Sequence, residues 1–402
     1  MVTTVTSYTE MRNRALIGGG YDGVVRVVIG EFYGSGVLLF GGSAVLTAAH
    51  LFSGSNLTAN VIFETLSGVQ TIASSLVVLN PDYYSTINNA DLALIWLSQD
   101  APVTAERFNI FRSSNEIGQT ITIVGYGKPG LGITGTITNF NEVPVRVKAN
   151  NQFDCDIAPL DNFFSESGLW AANNGKQLVA DFDSGFIQND ALGRLVGISD
   201  LGLGNSEGLI SKGDSGGPAF IGDLVAGIAS YTGRLNAGPV VPDIDKASNS
   251  SFGEVAIWQR VSAYQQWIDQ TLREHFQNPP MKLADVKTSE TEGDVGVKPV
   301  YFWIQFNGQR KESNSIVSVD YKTRDGSAIA GQDYIGTQGT LDIYPNEDHA
   351  LVCVEIIGDN QPEIDETFFL DIFNPVGANF EASVVKLTAM RTIANDDGWV
   401  WG

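Results

Sequence analysis

The chain is poor in cysteine, histidine and cationic side chains. Two cysteines in 402 residues cannot build a disulfide framework, so the domains must be held by their cores. Lys and Arg number 24 against 46 Asp and Glu, a net charge of −22. Phosphate backbones need clustered cations, so nucleic-acid partners are excluded, and so is a polybasic membrane patch. Long apolar runs are missing too. The uncharged stretch over residues 35–52 is broken by Gly41-Gly42 and reads as two short buried strands joined by a turn, with no membrane insertion expected. Residues 1–14 lack the apolar region of a secretory signal. Helical periodicity is scarce, its clearest case being residues 261–276, where Val261, Tyr264, Trp267, Ile268 and Leu272 recur at three- and four-residue steps.

Short strand signals are abundant: residues 24–30, 36–40, 43–47, 76–79, 92–97, 120–124 and 224–230 are rich in Val, Ile and Leu and bounded by turn residues. The fold class is therefore all-β. Asn278-Pro279-Pro280 cannot continue the helix before it and marks a domain boundary. Residues 281–402 carry 20 acids and 9 bases, half of the net charge in under a third of the length. About six strands there suit an immunoglobulin-like sandwich.

Only His50, His275 and His349 can supply imidazole chemistry. His50 ends an apolar strand, Asp91 opens another, and Ser215 lies in Gly213-Asp214-Ser215-Gly216-Gly217-Pro218. Acyl transfer needs a hydroxyl activated by a neutral imidazole and a carboxylate that holds the imidazole tautomer. Chain order His, Asp, Ser is one of the known orders for that geometry. Glycines beside the serine let backbone N–H groups converge on a developing oxyanion.

Over roughly its first 275 positions the chain resembles the trypsin-like (chymotrypsin-fold) serine proteases. The likeness rests on Leu46-Thr47-Ala48-Ala49-His50, Asp91-Leu92-Ala93-Leu94, Gly125-Tyr126-Gly127, the block around Ser215, Val225-Ala226-Gly227-Ile228-Ala229-Ser230-Tyr231, and Trp258-Gln259-Arg260-Val261. The resemblance implies a double β-barrel over 16–279 and a serine-type endopeptidase acting on protein or peptide substrates without a catalytic cofactor. His50 would be general base, Asp91 its orienting carboxylate and Ser215 the nucleophile. The N–H groups of Gly213 and Ser215 would form the oxyanion hole. Leu16-Ile17-Gly18-Gly19 resembles the segment that becomes the mature amino terminus in this family and pairs with the acid before the nucleophile, here Asp214. Residues 1–15 are then expected to be a pro-segment, although Ala15 between Arg14 and Leu16 departs from the family's cut site.

The resemblance also implies a substrate-binding edge at Ser230, Tyr231 and Thr232, and a primary-pocket floor at Leu209. An apolar floor leaves an arginine or lysine unpaired, so small or medium apolar side chains are expected there. Leu51 and Ser211 stand where relatives often have cysteines, and Cys155 and Cys353 are expected as free buried thiols.

Residues 284–398 resemble a Calx-beta domain. The matching blocks are Glu292-Gly293-Asp294, residues 319–334 with Asp325-Gly326 and Ala330-Gly331-Gln332-Asp333-Tyr334, Gly339-Thr340-Leu341, residues 363–370, and Ile393-Ala394-Asn395-Asp396-Asp397. Ca²⁺ takes six to eight oxygens, which carboxylates on clustered loops can supply. The resemblance implies Ca²⁺ ligands at Glu292, Asp325, Asp359, Glu363, Glu366, Asp396 and Asp397, while Gly358 and Asn395 stand where calcium-binding members can have aspartates. Calcium and proteolysis together favour an extracellular or cell-surface setting. Two other readings stay open, a catalytically weak adhesion protein that binds through the second domain and an acyl-ester hydrolase on the same triad.

Overall fold

The computed structural model describes residues 2–52, 57–86, 88–140, 142–164, 175–310 and 312–398. The chain forms two compact units, one of Met1–Leu39 with Ser43–Ile268, the other of Phe40–Gly42 with Asp269–Gly402. Both are built mainly from antiparallel strands, as the frequent β-branched runs require. No described helix is long and apolar enough to cross a membrane.

The first unit has the expected double-barrel architecture. Six strands close one barrel in the order Val24–Ile29, Phe32–Leu38, Ala44–Thr47, Ala93–Leu97, Gly68–Leu79, Asn60–Thr65. Alternate side chains point inward, so Val25, Val27, Leu38, Val45, Phe63, Ile72 and Ile95 make its core. The second barrel's sheet runs Val147–Gln152, Thr120–Gly125, Pro218–Ile221, Leu224–Arg234, Glu254–Arg260, Gln177–Asp181, Cys155–Asp156. Its core gathers Val2, Ile121, Phe153, Phe182, Leu209 and Trp258, with the Phe153 and Trp258 rings edge to face at 5.6 Å. Val147–Gln152 gives no apolar signal, yet its alternation is complete, with Val147, Ala149 and Asn151 inward. The buried Asn151 amide donates to the carbonyls of Asp181 and Gly208, 2.9 Å each, which lets a polar residue occupy a core position.

The helix expected over 261–276 is split. Val261–Tyr264 is a 3₁₀ turn and Gln265–Glu274 is the α-helix. Short helices Ala158–Phe164 and Ala191–Val196 gave no periodic signal because neither reaches three turns. Both cysteines are free and buried, and burial pushes the Cys155 thiol up to about 12, so it is unreactive at neutral pH.

The second unit is a sandwich. A five-stranded sheet runs Ser289–Thr291, Lys386–Ala394, Glu366–Val376, Val317–Asp325, Gln338–Ile343, and a second sheet pairs Val297–Gln305 with His349–Ile357. Phe302, Tyr334, Leu370 and Phe368 fill the space between them.

Candidate active site and acidic clusters

Strand register brings His50 to Asp91. Ala44–Thr47 pairs antiparallel with Ala93–Leu97, Thr47 opposite Ala93. His50 follows one strand's end and Asp91 precedes the other's start, so the two meet. The turn before Asp91 is sharp, with Ala90 at φ 52° and the Leu92 N–H bonded to the Ala90 carbonyl at 2.7 Å. Asp91 is fully buried. One oxygen accepts the His50 backbone N–H at 2.7 Å; the other lies 2.7 Å from His50 Nδ1. The Ser230 hydroxyl donates to that second oxygen too. Three donors thus converge on one buried carboxylate. The His50 side chain stays 27% exposed, open to an incoming group.

Ser215 sits on the loop between Gly208–Leu209 and Pro218–Ile221. Gly213 takes φ +101°, and a Cβ there would approach Tyr33 at 2.9 Å and Gly127 at 3.0 Å. Gly216 takes φ +82°, and a Cβ would lie 2.0 Å from Thr47 Oγ1. Glycine is required at both. The Ser35 hydroxyl donates to the Gly213 carbonyl at 3.0 Å, which fixes that peptide's orientation. Among the described residues no protein acceptor takes the N–H of Gly213 or Ser215, whereas Asp214, Gly216 and Gly217 N–H groups are all bonded. Two free donors flank a half-exposed serine, the arrangement that receives an oxyanion.

Asp214 is 1% exposed and braces this loop. It accepts from the Gly127 N–H at 2.8 Å and from the Ser211 N–H at 2.9 Å. Burial raises its pKa, and the Ser211 N–H opposes that shift. Leu16 and Ile17 are 43% and 49% exposed in the uncleaved chain. Their segment is anchored elsewhere: the Gly18 N–H donates to Asp22 at 2.9 Å, and Arg146 Nε donates to the Ala15 carbonyl at 3.2 Å. Thr3–Thr4 instead pairs with Gly130–Leu131 on one side and Gly208–Leu209 on the other.

The residues expected to meet substrate are distributed. Leu209 is fully buried in the second-barrel core, its backbone paired with Thr3. Ser230 is turned to Asp91, and the buried Gln259 amide reaches its hydroxyl at 3.4 Å. Sequence reasoning missed Gln259; its place on a strand gives no chemical signal. Tyr231 donates its hydroxyl to Gln177 at 2.9 Å. Tyr231 and Thr232 pair with Ile257 and Ala256 on one edge, and past Ala229 no described strand pairs with the other edge.

In the second unit the strands deliver carboxylates to one end. Thr291 pairs with Ala394, and Glu366 with Ile393, which sets Glu292, Glu366, Asp396 and Asp397 near one another. Burial, then Glu363, Asp359, Asp396 and Asp397, push Glu292 up to about 7. Burial, then a hydrogen bond that the protonated carboxyl donates to Asp333, raises Glu366 likewise to about 7. Oxygens of Asp333, Glu363 and Glu366 lie within 4.8 Å of one another. Asp333 therefore joins a set from which sequence reasoning left it out. Asp325 accepts the Tyr334 hydroxyl at 2.5 Å and the Ala330 N–H at 3.0 Å with one oxygen. Gly358 has a steric reason to be glycine, because a Cβ would lie 2.3 Å from the Gly293 carbonyl oxygen. Glu292 Oε1 and Asp397 Oδ2 are buried without a hydrogen-bond partner, and no described cationic side chain pairs with either. Orphaned anionic oxygens of this kind fit a hard cation.

Comparison with known proteins bears on both units. A family model described as Trypsin matches residues 19–268, and one described as Calx-beta domain matches residues 302–397. The sodium/calcium exchanger Calx of Drosophila melanogaster is 39% identical over 89 residues, 22% of this chain and 9% of that protein. The sodium/calcium exchanger 2 of Homo sapiens is 32% identical over 117 residues, 26% of this chain and 13% of its own length. The chain thus spans a small part of these relatives.

Proposed function

The chain belongs to the trypsin family over residues 19–268, and we propose that it is a serine endopeptidase whose second unit binds calcium. The observation that carries the first half is the buried Asp91 carboxylate held against His50 Nδ1 at 2.7 Å. With Nδ1 protonated and bonded to Asp91, the neutral ring keeps its lone pair on Nε2. That nitrogen takes the Ser215 proton as the hydroxyl attacks a peptide carbonyl. The imidazolium then protonates the leaving amine, and a water molecule repeats the sequence to release the acyl group. The Gly213 and Ser215 N–H groups stabilise the oxyanion at each tetrahedral stage; one such donor is worth about 10²–10³ in rate. The strand segment at Tyr231–Thr232 suits an extended peptide more than a compact ester, because strand backbone recognises strand backbone along its length.

A serine-directed fluorophosphonate tests the chemistry. Wild type is expected to be labelled once and Ser215→Ala not at all. Labelling that persists in Ser215→Ala overturns the reading.

Glu292, Asp333, Asp359, Glu363, Glu366, Asp396 and Asp397 are the residues that would hold calcium in the second unit, and the ion's charge would offset their mutual repulsion. The exchanger relatives favour this ion, and a calcium-dependent unit suits work outside the cell or at its surface. Ca²⁺ at about 100 times its Kd should stabilise the protein by about 2.7 kcal/mol. A rise in Tm on adding Ca²⁺, reduced in Glu363→Gln with Asp397→Asn, is the expected result; an unchanged Tm in wild type removes the proposal.

A further inference from the structure

We propose that the first unit carries a calcium site of its own, built by Asp181, Asp183 and Asp190 beside the segment that leads to Ser215. None of the three belongs to the catalytic arrangement, and none lies in the second unit. Asp181 ends the strand Gln177–Asp181, Asp183 follows two residues later, and Asp190 precedes the helix Ala191–Val196. All three are at most 3% exposed, and one oxygen from each lies within 4.8 Å of the others. Oxygens that close can share one ion at the 2.3–2.6 Å of a Ca–O contact.

The decisive atom is Asp183 Oδ1. It is buried and has no hydrogen-bond partner, on a side chain that contributes an oxygen to this cluster. The neighbouring oxygens are bonded: Asp181 Oδ2 takes the Leu192 N–H at 2.8 Å, and Asp190 takes the Gly193 N–H at 2.6 Å and the Ser199 hydroxyl. Further carboxylates crowd the site. Asp200 lies within hydrogen-bond reach of both Asp183 and Asp154, and Glu207 accepts the Asp183 N–H at 2.7 Å. Two carboxylates can touch only with a proton or a cation between them. No described lysine or arginine pairs with any of these six acids.

The surrounding chain is shaped for this crowding. Gly202 takes φ +77°, and a Cβ there would lie 1.8 Å from Glu207 Oε2 and 2.8 Å from Asp183 Cβ. The loops at 184–189 and 199–204 are largely exposed, so the acids lie just beneath the surface. A bound ion would tie the end of Gln177–Asp181 to the loop at 199–207, which continues through Leu209 and Ser211 to the nucleophile.

Equilibrium dialysis of the chelator-stripped full chain against radiolabelled Ca²⁺ counts the ions. Asp183→Asn, an isosteric change, is expected to bind one ion fewer than wild type. A Glu363→Gln/Glu366→Gln variant, altered only in the second unit, is expected to retain that ion, with Mg²⁺ at equal concentration failing to displace it. The same count in Asp183→Asn and wild type overturns the proposal. So does the loss of every ion from Glu363→Gln/Glu366→Gln, a result that needs no folded Asp183 variant.

Discussion

Replacing Asp91 with asparagine is expected to lower kcat about 10⁴-fold on a peptide substrate while leaving KM nearly unchanged. The reason lies in the donors that surround this side chain. The His50 N–H, His50 Nδ1 and the Ser230 hydroxyl all point at its two oxygens. Asparagine offers one acceptor oxygen, and its amide donates from the other position. If that amide faces Nδ1, the ring must place its proton on Nε2, where it can no longer accept from Ser215. Under the proposed function substrate would bind along the strand Leu224–Arg234, which the exchange leaves in place, so the loss should fall on kcat. The buried cavity keeps its shape, and Tm should move little. Steady-state kinetics with a parallel thermal melt checks this. A kcat within tenfold of wild type would remove Asp91 from the mechanism. Ser230→Ala should give a smaller loss of the same kind, since it removes one of three donors and leaves the tautomer intact.

How legible these features were depends on the type of signal. His50 and Asp91 stand in apolar blocks whose spacing along the chain expresses strand register, so their meeting could be read in advance. The sandwich strands of the second unit were equally visible, because β-branched runs alternate with turn residues. Val147–Gln152 was not, since its inward Asn151 is satisfied by carbonyls more than 25 residues away. The hydroxyl of Ser230 belongs to the same class; a strand-edge serine carries no mark of the carboxylate it will meet. Asp325 and Asp333 show a finer limit. Asp325 ends the strand Val317–Asp325 and Asp333 lies on the loop that follows, and only backbone geometry decides that Tyr334 donates to the first while the second lies beside Glu363 and Glu366. Asp181, Asp183 and Asp190 stand in no motif of the sequence, and burial distinguishes them.

Arg146→Met is expected to destabilise the first unit by about 3–5 kcal/mol, the largest effect on stability proposed for a single substitution outside the catalytic residues. The Arg146 and Asp22 side chains are 2% and 0% exposed and form an ion pair. Arg146 also donates to the Ala15 carbonyl at 3.2 Å and to the Val24 carbonyl at 3.1 Å. Methionine fills much of the volume, so the cost is mainly electrostatic: Asp22 keeps the Gly18 N–H but loses its countercharge in a site water does not reach. The double variant Asp22→Asn/Arg146→Met should recover part of the loss, because it removes the stranded charge along with its partner. Denaturant melts of the two single variants and the double variant measure the coupling. Equal losses in the single and double variants would mean that Arg146 acts only through the carbonyls it holds. The result also bears on processing. The same pair anchors Ala15 and Gly18 on either side of Leu16, so a freed Leu16 could reach Asp214 only by breaking these bonds. A weakened anchor should therefore expose the segment after Arg14 to limited proteolysis sooner than in wild type.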